Sequence, residues 1–205
     1  MDLPSKYLNE AVEQLASLPS IGKRSALRLA MDLLKRSPED IGRFSKAFTQ
    51  MKQNIKFCKK CGNISDIELC SICANPSREK ELVCIVEDIR DILAIESTGS
   101  YKGVYHVLGG VISPMDGLGP EDLNISSLIE RAQNDDINEV IFALSSTMEG
   151  DTTNFYLYKK LKAFNINVTT LSRGVAVGTE LHYADELTLG RSILQRLPFD
   201  STFHK

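Results

Sequence analysis

Apolar residues in the first third of the chain recur at helical spacing. Leu8, Val12 and Leu15 mark one stripe before Pro19 interrupts it, and Ala26, Leu27, Ala30, Leu33 and Leu34 mark a second. Ser37-Pro38-Glu39-Asp40 then supplies an N-cap, a proline at the first helical position and early acids, which predicts the start of a third helix. Its expected buried face is Ile41, Phe44, Phe48, Met51 and Ile55. Three helices within about 50 residues make a thin core. From residue 81 the pattern changes. Short β-rich runs at 82–86, 104–108, 140–144 and 168–171 alternate with segments of helical length at 89–96, 125–132 and 155–164. That alternation predicts a mainly parallel sheet with helices on both faces. Gly109-Gly110 and the stretch 114–120 form a turn-rich excursion, and no internal repeat or low-complexity linker interrupts the chain.

Between the two halves stand Cys58, Cys61, Cys70 and Cys73, two CxxC pairs eight residues apart. A two-residue gap lets both thiolates of a pair reach one ion from a tight turn, and two such turns supply four tetrahedral ligands. Lys59, Lys60 and Gly62 suit the first turn. Two disulfides or four unrelated thiols are the alternatives, but the grouping is regular and no secretory leader is evident, so structural zinc is preferred. It would help a chain whose preceding helices bury little. The fifth cysteine, Cys84, lies inside an apolar run and reads as a small core residue.

The 205 residues carry a net charge of −3, which argues against indiscriminate coating of nucleic acid without excluding a local basic face. Fourteen of the 24 lysines and arginines fall in residues 1 to 80, so any nucleic-acid surface belongs there. No apolar run approaches the roughly 20 residues that cross a bilayer, and a cytoplasmic protein without membrane contact is expected.

Leu18-Pro19-Ser20-Ile21-Gly22-Lys23-Arg24 joins the first two helices. Backbone N–H groups at the start of the second helix carry the positive end of its dipole and favour a phosphate there without reading bases. Lys23 and Arg24 oppose that dipole, so they suit an external anion better than their own helix, and Arg28 lies one turn on. An ordinary interhelical turn is the plainer reading; phosphate binding is preferred, because the turn resembles the helix-hairpin-helix of DNA-repair proteins. Glu87 and Asp88 follow the first strand of the sheet, and Glu149-Gly150-Asp151 follows the run at 140–144. Ligands of open parallel sheets gather at the carboxyl ends of strands, so Glu87, Glu149 and Asp151 could hold Mg²⁺ if those strands are neighbours. An acid after one strand and acid-x-acid after another resembles the Toprim domain of primases and topoisomerases. Acidic helix starts explain Asp88 and Asp151 equally well. His106, His182 and His204 have no metal-motif spacing and no adjacent nucleophile, and His106 reads as a strand residue held by packing and hydrogen bonds. Gly174-Val175-Ala176-Val177-Gly178 lacks the lysine and Ser/Thr of a P-loop.

The order helix-hairpin-helix, four-cysteine finger, Toprim unit resembles the RecR family of bacterial recombination mediators along almost the whole chain. Further anchors are 105–110, Ser113-Pro114-Met115-Asp116-Gly117, Glu149-Gly150-Asp151-Thr152-Thr153 and 185–189. The resemblance implies a division into a DNA-binding region at 1–55, a zinc finger at 56–79, a Toprim domain at 80–173 and a C-terminal segment at 174–205, with 185–197 in subunit association. It implies a non-catalytic, nucleoid-associated homotetramer. Such a protein binds single- and double-stranded DNA without sequence preference and acts with RecO and RecF to load recombinase onto gapped single strands. Gly22, Lys23, Arg24 and Arg28 carry over as DNA contacts, and Glu87, Glu149 and Asp151 as contacts for a basic surface of RecO, with Mg²⁺ left open there and not expected to be catalytic. Ala176, where the family usually has proline, and His182, where an acid is common, depart from the pattern. The rivals are a Mg²⁺-dependent Toprim nuclease or primase-like enzyme using the same acids, and a zinc-dependent transcription regulator, which leaves the α/β half unexplained.

Overall fold

The computed structural model describes residues 3–196 and residue 198, so His204 and Leu197 lie outside the described residues. The chain divides into two compact units, Met1–Ile55 and Lys56–Lys205. In the first, α1 (Lys6–Ala16) and α2 (Lys23–Leu33) carry the two expected stripes on either side of Pro19, and α3 (Pro38–Asn54) starts where the Ser37-Pro38 signal places it. Ser37 accepts a hydrogen bond from the Asp40 N–H at 3.1 Å, Pro38 occupies the first turn and Glu39 and Asp40 favour the dipole. The core is Val12, Ala26 and Ala30 with Leu8, Leu15 and Leu27 against it, because small alanines let α1 and α2 approach closely. The expected buried face of α3 is not buried: no residue of the helix is, and Phe44, Phe48 and Met51 are exposed at 42 %, 53 % and 51 %. Periodicity identifies which side of a helix is apolar, not whether anything covers it.

The second unit begins with the finger, a two-stranded antiparallel pair β1 (Lys56–Phe57) and β2 (Ile64–Ser65) followed by the short α4 (Ser71–Ala74). The sheet comprises β3 (Glu79–Val86), β4 (Gly103–Val107), β5 (Glu139–Phe142) and β6 (Asn167–Thr170), in the order β4-β3-β5-β6 and parallel throughout. Successive strand residues face opposite sides. Cys84, Val86, Tyr105 and Val107 pack against Ile92 of α5 (Ile89–Ser97) on one face. On the other face Val83, Ile85, Val104, Val140 and Phe142 pack against α6 (Ile125–Asn134) and α7 (Met148–Leu161), through Leu128, Leu157 and Leu161. Helices therefore cover both faces, as the alternation predicts. The chain then leads through a loop into α8 (Glu186–Leu194), which buries none of its residues.

One helix starts earlier than expected. Periodicity predicts a helix over 155–164, but α7 begins at Met148, because Thr147 caps it by accepting from the Gly150 N–H at 3.1 Å. Gly150 is required there: a Cβ would lie 2.0 Å from the Ser145 carbonyl oxygen. The segment Glu-Gly-Asp-Thr-Thr is weak helix-forming sequence that only a cap and a close strand-to-helix turn make helical.

Candidate functional site

The finger brings all four cysteine sulfurs within 4.8 Å of one another, every one of them buried. Backbone bonds set the two turns. The Cys58 N–H donates to Asn63 O at 2.7 Å, Gly62 N–H to Cys58 O at 2.9 Å, and Cys73 N–H to the Cys70 sulfur at 3.5 Å. Hydrogen bonding with Cys61 draws the Cys73 thiol down to about 6, while that same bond and burial drive Cys61 upward. Packed this closely, four thiols shed their protons together only around a cation, and an all-sulfur, closed set of four is the donor chemistry of structural zinc.

The finger is joined to the sheet. Val107 N–H of β4 donates to Cys61 O at 2.8 Å, and Gly62, at φ +75°, sits where a Cβ would lie 2.8 Å from Asn124 Nδ2 and 3.1 Å from Val107 O. Lys60 pairs with Asp135 at 2.9 Å. Arg131 of α6, only 7 % exposed, reaches Asp135 at 3.4 Å and donates Nη1 to Tyr105 O at 2.8 Å, while its Nη2 has no partner among the described residues. That guanidinium helps hold Cys73 down, and its charge offsets the surplus negative charge a zinc–tetrathiolate cluster would carry.

At the start of α2 the structure places Gly22 as N-cap, with no side-chain cap and no acid in the first turn. Gly22, Lys23, Arg24 and Arg28 are all exposed, and among the described residues none of the three cations forms an ion pair. Space is open over Gly22, and the turn itself is made by Ser20 at φ 64°. A phosphate thus finds free N–H groups, three cations and no steric bar.

The acids sit at the carboxyl ends of β3 and β5, which are neighbours as the Toprim reading requires. Asp88 does cap its helix, accepting from Arg90 N–H at 2.7 Å and pairing with the Arg90 guanidinium. Asp151 does not; Thr147 has that role. Burial, with repulsion from Asp91 and Asp88, lifts Glu87 above the usual carboxylate range. Glu149 is exposed, whereas Asp151 is claimed by Arg173, which donates Nη2 to Oδ1 at 2.5 Å and Nη1 to Oδ2 at 3.2 Å, with Arg191 at 3.7 Å. Among the described residues, the four cysteines are the only group of three or more such side chains close enough to share an ion.

Arg131, Arg173 and Arg191 are absent from the sequence reading. Arg131 and Asp135 have the i,i+4 spacing of a helical ion pair, a signal the chain does carry, whereas Asp151 lies 22 and 40 residues from Arg173 and Arg191 with no motif between them; an acid-x-acid pair at a sheet edge was the one hint that cations would gather there. His106 behaves as expected: fully buried, it contacts Asn124 O through Nε2 at 2.7 Å, and burial lowers it to about 4. Burial likewise pushes the Cys84 thiol up to about 12. His182 is exposed beside Glu180 at 3.4 Å.

Family models match four consecutive stretches: a RecR helix-hairpin-helix at residues 8–52, a RecR four-cysteine zinc finger domain at 55–75, a Toprim domain at 81–172 and a RecR C-terminal region at 174–196. Recombination protein RecR of Flavobacterium johnsoniae is 57 % identical over 203 residues, covering 99 % of this chain and 98 % of that protein. Those of Parabacteroides distasonis and Bacteroides fragilis are each 53 % identical over 199 residues, covering 97 % of this chain and 96 % and 97 % of theirs.

Proposed function

The chain belongs to the RecR family of recombination proteins, and from that premise we propose that it is a DNA-binding mediator that helps load recombinase onto gapped single-stranded DNA. RecO and RecF are its partners in this reading. The observation that carries the DNA role is the open start of α2, where uncapped N–H groups face solvent with Lys23, Arg24 and Arg28, which form no ion pair among the described residues. Contacts of that kind hold phosphates and leave bases unread, so binding is sequence-independent and acts on single and double strands alike. One structural zinc per chain is held by Cys58, Cys61, Cys70 and Cys73. The working form is a homotetramer, which the uncovered apolar face of α3 and the exposed Leu181, Tyr183, Leu187 and Leu194 of the C-terminal arm support. No helix among the described residues is long and apolar enough to cross a membrane. A cytoplasmic place on the nucleoid accords with the DNA role.

Glu87 and Glu149, with Asp151 beside them, present a carboxylate edge to a basic surface of RecO, and the protein carries out no strand chemistry of its own. The commitment of Asp151 to two arginines supports that reading over a Mg²⁺ enzyme. The test is DNA affinity against salt concentration for the wild type and for Lys23→Ala with Arg24→Ala. The double variant is expected to bind every sequence tenfold or more weakly, roughly, with a salt slope smaller by about 2. Unchanged affinity and slope would remove the DNA assignment. Mg²⁺-dependent nicking or primer synthesis by pure protein, abolished in Glu149→Ala, would replace the mediator with a Toprim enzyme.

A further inference from the structure

Asp151 stands in the first turn of α7 with its carboxylate already spent. Arg173, in the segment after β6, takes both oxygens in a bidentate pair at 2.5 and 3.2 Å. Arg191, on α8, brings its Nη2 within 3.7 Å of Oδ2. One negative charge faces two positive ones, and Arg173 holds the Asp151 carboxyl below its ordinary range. Glu87 and Glu149 differ: neither forms an ion pair among the described residues.

The arm beyond β6 has little else to hold it. No residue of α8 is buried, Leu187, Ile193 and Leu194 are 63 %, 65 % and 81 % exposed, and among the described residues Arg191 is the side chain that ties this helix by charge to the α/β core. Asp185 is used locally, capping α8 through the Thr188 N–H at 2.8 Å.

We propose that Asp151 is the anchor of the C-terminal arm, and that a basic protein surface docking on Glu87 and Glu149 loosens the arm by competing with Arg191 and then Arg173 for that carboxylate. A cation arriving at Asp151 meets a local excess of positive charge and gains an oxygen only by displacing a guanidinium. The open acids receive the partner first, and Asp151 converts its arrival into release of α8. Partner docking is thereby coupled to the segment assigned to subunit association. The inference rests on the reading of the acids as contacts for a basic partner.

Hydrogen–deuterium exchange of α8 in the full-length protein tests it. Asp151→Asn and Arg191→Gln are expected to speed exchange across α8 by about 1.5- to 5-fold, the range for losing a partly exposed ion pair in a marginally held helix. Zinc content and exchange in β3 and β5 should stay unchanged, and Arg191→Lys should keep part of the protection. Arg191 is at the surface, so its variants fold even where Asp151→Asn does not. An oligolysine peptide, measured against NaCl of equal ionic strength, is expected to speed α8 exchange in the wild type and to add nothing in Asp151→Asn. Equal α8 exchange in the wild type and both loss variants overturns the anchor. Oligolysine that binds without effect on α8, or that acts equally on wild type and Asp151→Asn, overturns the competition. These readings come from the protein alone, whereas the partner assignment fails or stands on RecO binding to Glu149→Ala, so the two failures are separable.

Discussion

The four cysteines and the three acids are both candidate cation sites in the same unit, and they come together by different routes. The cysteines lie within sixteen residues, and two local turns suffice to aim all four sulfurs at one point. Glu87 and Glu149 lie 62 positions apart and are brought to one sheet edge only because β3 pairs with β5. Charge balance separates them further. Around the sulfurs the protein places Lys60 and the buried Arg131 as outer neighbours that leave the ligands free, whereas around Asp151 it places two arginines on the ligand atoms themselves. A cluster of cation-binding residue types is thus a cation site only where its countercharges stay off the donors.

The largest effect that could break this contrast is removal of the zinc. Chelation, or serine at all four cysteine positions, is expected to disorder the finger and lower Tm by about 10 °C or more, since structural zinc contributes folding free energy directly. Because Cys61 O accepts from Val107 N–H, protection of that β4 amide should fall as well. Elemental analysis and calorimetry decide it: zinc well below one per chain in protein prepared without chelator would count against the site.

Next in size is an attempt to turn the acids into the better site. Arg173→Ala frees Oδ1 of Asp151 and removes one of its two competing charges, leaving only Arg191 near Oδ2, so Mg²⁺ should bind roughly tenfold more tightly than to the wild type. Calorimetric titration with MgCl₂ reads this directly. If affinity does not change, the arginine is not what keeps the acids from acting as a cation site.

The smallest effect concerns Glu87. Its carboxyl is raised above 4.5, mainly by burial and then by Asp91 and Asp88, so its ionised form is a cost to the folded state. That contribution is absent below the unfolded value near 4.5 and sets in as pH rises through the folded value. Glu87→Gln should therefore raise Tm at pH 7 by about 1 °C and make no difference at pH 4. A gain that persists at pH 4 would point to packing instead of charge.

Wherever one short stretch carries the whole instruction, the sequence was sufficient. The CxxC pairs, the Ser37-Pro38 helix start, the open basic turn at Gly22 and the apolar strand cores each depend on neighbours a few residues away, and each stands close to where the pattern placed it. The order of these pieces likewise made the family legible. Tertiary structure decided the rest. The apolar side of α3 was readable, but its exposure was not, because periodicity is silent about what lies opposite. The early start of α7 depended on the approach of Gly150 to Ser145, a contact between a strand end and a helix. The commitment of Asp151 to Arg173 and Arg191, and of Arg131 to the finger and β4, joins residues that are neighbours only after the sheet has formed. Pairing between charges far apart in sequence acts through space and leaves no periodic trace along a chain, so the folded structure alone could show that Asp151 was already taken.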